Sequence, residues 1–234
     1  PPFYNWEEIF GFLAAFRRHW RVIASEVEKI SQPWHAWPES SLYGEGKDWK
    51  VVPFVYTFPA TDPSRTKWVE PCCALAPNTV KLLRALPGVR TALFSRMGPG
   101  LTLVPHRGWA ELSNHVLRCH LALDVPELEE GEEAVDAIDS FGVHHGGDGK
   151  EGMCGVSVER EDDGKYDTRF HKPGEIIVFD DSQVHTAFNK HPTKSRTVLI
   201  FDLPRPKDLA PGTADVGKTE ELQGFIERFT AGIQ

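Results

Sequence analysis

"GEIIVFDDSQVHTAFN", residues 174–189, decides the fold. Two short runs rich in β-branched and aromatic residues flank the polar turn "DDSQ". Each run is too short for a helix and reads as a strand. The same signature recurs in "RTALFSRM" (90–97), "LTLVPH" (101–106), "HVLRCHLALDV" (115–125), "MCGVSVE" (153–159), "YDTRFH" (166–171) and "SRTVLIFDL" (195–203). Turn residues separate these runs and no helical period intervenes, which points to an all-β sandwich or jelly roll.

The residues before this block follow another period. "NWEEIFGFLAAFRRHWRVIASEVEKI" (5–30) spaces its apolar residues at three and four, as an amphipathic helix or helix pair does. "WKVVPFVYTF" (49–58) is a further strand candidate. "APNTVKLLRALPG" (76–88) reads as a short helix capped by Asn78 and stopped at Pro87-Gly88. Residues 218–231 read as a closing helix. The expected layout is one domain over 1–234. It has a helical and irregular part (1–88), a β core (89–206) and a C-terminal extension (207–234). An acidic, Gly-rich insertion at 127–152 reads as a mobile loop or lid.

Composition narrows the partners. With 40% hydrophobic residues the chain can build a sizeable core, and a net charge of -8 argues against nucleic acid or an anionic membrane surface. No apolar run is long enough to span a bilayer and no secretory signal is present, so a soluble domain is expected, in the cytoplasm on balance. Cys72, Cys73, Cys119 and Cys154 form no CxxC pair, and their disulfide state is left open.

The histidines need sorting. His19 falls on the polar side of a helix. His35, His171 and His191 lie beside prolines or turns and read as surface residues. His144-His145, on a glycine-rich loop, is poorly preorganised for metal. His106 and His185 are different, because each lies at a strand end and a jelly roll brings such ends together. Taken singly, each reads as an ordinary structural histidine sooner than as a ligand. Around His106 the stretch "VPHRGW" (104–109) has Gly108 where a His-x-Asp iron site would have its carboxylate. Strand alternation puts Arg118 and His120 on one face, opposite Leu117, Cys119 and Leu121. Arg196 opens an apolar strand, and a buried guanidinium there needs Asp180, Asp181 or an anionic ligand.

Together "LPGVRTALFSRMGPGLTLVPHRG", "LRCHLAL", "GEIIVFDDSQVHTAFN" and "RTVLIFDL" resemble the aspartyl/asparaginyl β-hydroxylase family over roughly residues 75–206. The resemblance implies a double-stranded β-helix (jelly roll, cupin-like) with the N-terminal helices packed against it. It implies an Fe(II)- and 2-oxoglutarate-dependent dioxygenase that uses O2 and releases succinate and CO2. His106 and His185 match the two iron ligands. Ser95 and Arg196 match the pair on the distal carboxylate of 2-oxoglutarate, and Arg118 and His120 the groups near its metal-binding end. The family's metazoan hydroxylases also carry glycine at the position of Gly108. Water can then complete the coordination, with Asp181 hydrogen-bonding it or else capping its own turn.

One departure concerns the substrate. The family's protein hydroxylases have an arginine two residues before the position of Arg118, and here that residue is Val116. The substrate side then falls to Val116, Trp109 and the insertion. The expected reaction is hydroxylation of an unactivated C–H, at the β-carbon of an Asp/Asn-like residue in a peptide or on an amino-acid-derived small molecule. A halogenase or lipid hydroxylase on the same fold, and a non-catalytic cupin-like binding domain, are the competing readings.

Overall fold

The computed structural model describes residues 1–44, 46–135 and 152–230. His144-His145 and most of the insertion lie outside the described residues. Twelve strands are described: β1 (Phe3–Tyr4), β2 (His35–Ala36), β3 (Trp49–Tyr56), β4 (Lys67–Trp68), β5 (Thr91–Met97), β6 (Leu101–Thr102), β7 (Val116–Asp124), β8 (Cys154–Glu159), β9 (Tyr166–Phe170), β10 (Ile176–Phe179), β11 (His185–Asn189) and β12 (Arg196–Pro204). The helices are α1 (Trp6–Ile9), α2 (Ala14–Lys29), α3 (Glu70–Cys73), α4 (Pro77–Arg84), α5 (Ala110–Ser113) and α6 (Glu220–Thr230).

The strands form two sheets, all neighbours antiparallel. The larger has the order β1-β10-β7-β12-β5-β3-β2, with β4 also on β3, and the smaller runs β6-β11-β8-β9. This is the expected jelly roll with N-terminal helices against it. Every strand run read from the sequence recurs. "LTLVPH" is extended only at Leu101–Thr102.

Period-two alternation builds two interiors from one sheet. Leu117, Cys119 and Leu121 of β7 and Leu199, Phe201 and Leu203 of β12 face the helices, where Phe16 of α2 stacks on Phe201 at 5.1 Å. The intervening residues Arg118, His120, Arg196 and Ile200 face the space between the sheets, joined there by Phe179 and Val156. Fully burying an aromatic such as Phe16 or Phe201 contributes about 1.5–3 kcal/mol. The helix layer therefore braces the sheet from behind.

Helix α2 also holds α4. The side chain of Glu26, 6% exposed, accepts from the Asn78 and Thr79 backbone N–H groups (2.8 and 2.9 Å), from Asn78 Nδ2 (2.9 Å) and from Thr79 Oγ1 (2.6 Å). The cap position is Ala76, not Asn78 as the local sequence predicts. A carboxylate from another helix satisfies the free amides, which its charge suits well. All four cysteines are buried and free, so no disulfide braces the fold.

Candidate active site

The site begins at a two-residue pairing. His106 N–H donates to His185 O (3.0 Å) and His185 N–H donates to His106 O (2.9 Å), an isolated antiparallel bridge across the mouth of the smaller sheet. The two imidazoles meet at 4.5 Å between centroids. Each Nδ1 lies on a nearby backbone carbonyl, Val104 O at 2.7 Å and Gln183 O at 2.9 Å. That arrangement fixes the proton on Nδ1 and leaves each Nε2 a lone pair. Burial keeps both rings neutral, pulling His106 down to about 3 and His185 to about 4. Two neutral imidazoles side by side are suited to hold a divalent metal. Among the described residues no group of three His, Cys, Asp or Glu side chains is placed to do so.

The Gly108 question has a steric answer. A Cβ built there would lie 1.9 Å from Asp181 Oδ2 and 2.9 Å from Ser113 Cβ. The space a residue-108 side chain would take is filled by the Asp181 carboxylate. Its Oδ1 contacts His185 Nε2 at 3.3 Å and Arg118 Nη1 at 2.5 Å, while Oδ2 is buried without a partner. Burial, against the pull of Arg118, raises the Asp181 carboxyl to about 6.

The two arginines differ. Arg118 is closed on Asp202 (Nε–Oδ1 2.9 Å, Nη2–Oδ2 3.0 Å) as well as on Asp181. Arg196, 1% exposed, meets neither aspartate that the sequence offers it, since Asp180 is taken by Arg205 (2.7 Å) and Asp181 by Arg118. Its Nε and Nη1 are buried without partners, its Nη2 rests on Met97 Sδ, and burial lowers its pKa to about 10. A desolvated guanidinium with open donors is a seat for an anion. Ser95 lines the same space, its Oγ accepting from Trp49 Nε1 at 3.0 Å. His106, His185, Ser95, Arg118, His120 and Arg196 all line one interior cavity.

His171 and His191 are corrections. Both are buried (3% and 0% exposed), and His35 is half-buried. His171 Nε2 lies 3.3 Å from His120 Nδ1 while its own Nδ1 has no partner. Burial and the Arg196 charge push both rings well below the usual histidine range. His191 Nδ1 accepts from Thr193 N–H (3.1 Å) and Lys194 N–H (3.0 Å), and its Nε2 donates to Glu127 O (3.0 Å). It therefore anchors the start of the insertion.

In front of the histidine pair lies a second cavity of about 260 Å³, bordered by Trp37, Trp49, Trp109, Arg107 and Asp181. The three indoles form a wall, Trp37 stacking on Trp49 at 4.8 Å and on Trp109 at 6.0 Å. Buried Glu39 ties that wall, accepting from Trp37 Nε1 (3.2 Å), Trp109 Nε1 (3.3 Å) and Thr219 Oγ1 (2.9 Å). The sequence reading named Trp109 alone of this group. Val116 is fully buried with Ala60 and Leu112, a cluster against which Trp109 packs.

The jelly roll thus carries paired histidines at its mouth and an unsatisfied arginine inside. The chain belongs to the Aspartyl/Asparaginyl beta-hydroxylase family, whose model matches residues 17–206. It is 26% identical over 213 residues to an ornithine lipid ester-linked acyl 2-hydroxylase of Rhizobium tropici, covering 88% of this chain and 61% of that protein. Its fold resembles that of a 2OG-Fe(II) oxygenase family oxidoreductase from Burkholderia pseudomallei (TM-score 0.50, 13% identity, 83% of this chain and 80% of the other). The chain thus spans about three fifths of the length of the curated Rhizobium relative. Among the described residues no helix is long and apolar enough to cross a membrane.

Proposed function

We propose that the chain hydroxylates an unactivated C–H bond with Fe(II), 2-oxoglutarate and O2. One oxygen atom enters the substrate as hydroxyl and the other enters succinate, with loss of CO2. The observation that carries this reading is Arg196, a buried guanidinium whose free donors call for a carboxylate. In this reading His106 and His185 hold the metal through Nε2, and Ser95 and Arg196 hold the distal carboxylate of 2-oxoglutarate. His120 and Arg118 stand at its metal-binding end, the latter after loosening its contact to Asp181. Asp181 sits where it can accept from a metal-bound water, in the space Gly108 leaves. Iron and cosubstrate supply the oxidation. The protein's own part is to keep the histidines neutral, orient the dicarboxylate and exclude water from the reacting carbon.

The aromatic cavity favours a hydrocarbon C–H, and an acyl-bearing lipid matches the reaction named for the Rhizobium relative. A second reading, an Asp/Asn-like residue or amino-acid-derived molecule, is supported by Arg107, which borders the same cavity and can pair with a carboxylate. Halogenation is disfavoured because the Asp181 carboxylate already fills the space that Gly108 leaves. A purely binding cupin-like role predicts no turnover. The test is succinate formation with Fe(II) and 2-oxoglutarate, with product mass measured with and without chloride. His106→Ala and His185→Ala should each abolish turnover, and His144→Ala should not. A chain that binds neither metal nor 2-oxoglutarate would defeat the proposal.

A further inference from the structure

Among the described residues five carboxylates are buried: Glu26, Glu39, Asp180, Asp181 and Asp202. Four of them have a positive partner. Asp180 meets Arg205, Asp181 and Asp202 meet Arg118, and Glu26 takes the backbone N–H groups at the N-terminus of α4. Glu39, 7% exposed, has none. Its donors are the indole N–H groups of Trp37 and Trp109 and the Thr219 hydroxyl, all uncharged. It takes no backbone N–H of α6, whose Leu222 N–H goes to Thr219 Oγ1 instead. Three neutral hydrogen bonds occupy most of its lone pairs and leave the charge itself without a counter-charge, away from water.

This carboxylate borders the same cavity of about 260 Å³ as His106. The other charged groups on that border are Arg107, Arg118 and Asp181. Arg118 is closed on Asp181 and Asp202, and Arg107 donates to Ser182 O at 2.8 Å, not to Glu39. The missing counter-charge can therefore come from a molecule in the cavity. The wall beside Glu39 suits a cation. Trp37, Trp49 and Trp109 border the same space, and indole attracts a cation to its face more strongly than any other aromatic side chain. An ammonium brings a positive charge, N–H donors for the remaining lone pair of Glu39, and carbon substituents that rest on indole. A phosphate or carboxylate at this wall would meet Glu39 as a like charge.

We propose that Glu39 and the indole wall form a seat for an ammonium group, so that the chain selects a substrate carrying a cationic nitrogen in the same cavity as its reacting C–H. This rests on the hydroxylase reading above for the fate of the substrate. It adds a charge requirement and the residue that imposes it. Neither an uncharged hydrocarbon nor a purely anionic molecule meets that requirement. Glu39 is then a specificity residue as well as the tie between two indoles and Thr219.

The test uses the full chain loaded anaerobically with Fe(II) and 2-oxoglutarate, titrated by calorimetry with pentylammonium and with its uncharged counterpart 1-pentanol. Pentylammonium should bind at least about tenfold more tightly, the effect of one charge-assisted hydrogen bond. Glu39→Gln should abolish that preference and leave 1-pentanol and 2-oxoglutarate affinities within about twofold. Ser41→Lys, at an exposed position on the same border, keeps Glu39 and its hydrogen bonds and brings a tethered ammonium of its own. It should weaken pentylammonium by about tenfold relative to Ser41→Met, its uncharged control, and it decides the matter should Glu39→Gln fail to fold. Equal affinities for the two probes, a preference that survives Glu39→Gln, or one lost in Asp181→Asn alone would overturn the proposal. An ammonium preference that depends on Glu39 in a chain that binds no 2-oxoglutarate would sink the hydroxylase reading and leave the seat standing.

Discussion

Arg118 and Arg196 stand on paired strands and face the same space between the sheets, yet one is closed and the other open. Arg118 is clamped by two carboxylates, and they hold its guanidinium more firmly protonated than usual, against the cost of its burial. Arg196 is more deeply buried, has no carboxylate, and is pulled down to about 10 by desolvation, against the opposing effect of Cys154. The first is already satisfied within the fold. The second is a cost the fold carries unless an anion arrives.

The sharpest way to break this contrast is stability. Arg118→Leu strands Asp181 and Asp202 in the interior and should cost about 3–5 kcal/mol in urea unfolding. Arg196→Met removes an unpaired charge and should leave the ligand-free protein within about 1 kcal/mol of the parent, or more stable. Equal losses would show that Arg196 has a structural partner after all. Binding should reverse the order of importance at Arg196. Its methionine variant should bind 2-oxoglutarate at least about a hundredfold more weakly by anaerobic titration, since a buried charge-assisted pair is lost.

Acid sharpens the comparison further. His106, His185, His120 and His171 are all neutral in the fold, with pKa values below their unfolded value. Between about pH 6.5 and 4 the unfolded chain therefore binds more protons, and stability falls as pH falls. Asp181, raised to about 6, acts in the opposite sense, because the folded carboxyl holds its proton longer, but it is one group against four. The metal-free protein should lose about 1.4 kcal/mol per pH unit for each net proton linked. The Arg196→Met variant should be less acid-sensitive, because the Arg196 charge helps depress His120 and His171. The smallest effect belongs to His171→Phe. It keeps the ring and loses the contact to His120, a neutral hydrogen bond of about 1 kcal/mol, so 2-oxoglutarate affinity should drop about fivefold. An unchanged affinity would make His171 a packing residue only.

Much of this was legible in the sequence. Period-two patterning marked the strands and separated Arg118 and His120 from the core face, because side-chain direction along a strand is a local property. The His106–His185 pair was legible through its motifs. What escaped notice was set by long-range partners. Nothing around His171 or His191 announces burial, since the groups that meet them, His120 and the Glu127 carbonyl, are distant in sequence. Asp202 closes Arg118 from 84 residues away. Glu26 caps a helix 52 residues later, so a local rule assigned the cap to Asn78. Gly108 looked like a missing ligand until the Asp181 carboxylate was seen to fill its space.

Glu39 carries a consequence of its own. One carboxylate joins two indoles of the cavity wall to Thr219, just before α6, whose hydroxyl also accepts from Leu222 N–H (3.2 Å). Seating the C-terminal helix and stiffening the wall are therefore one thermodynamic event. Any signal that loosens the tail, whether a cut, a fusion or a binding protein, would reach the reacting carbon without touching a catalytic residue.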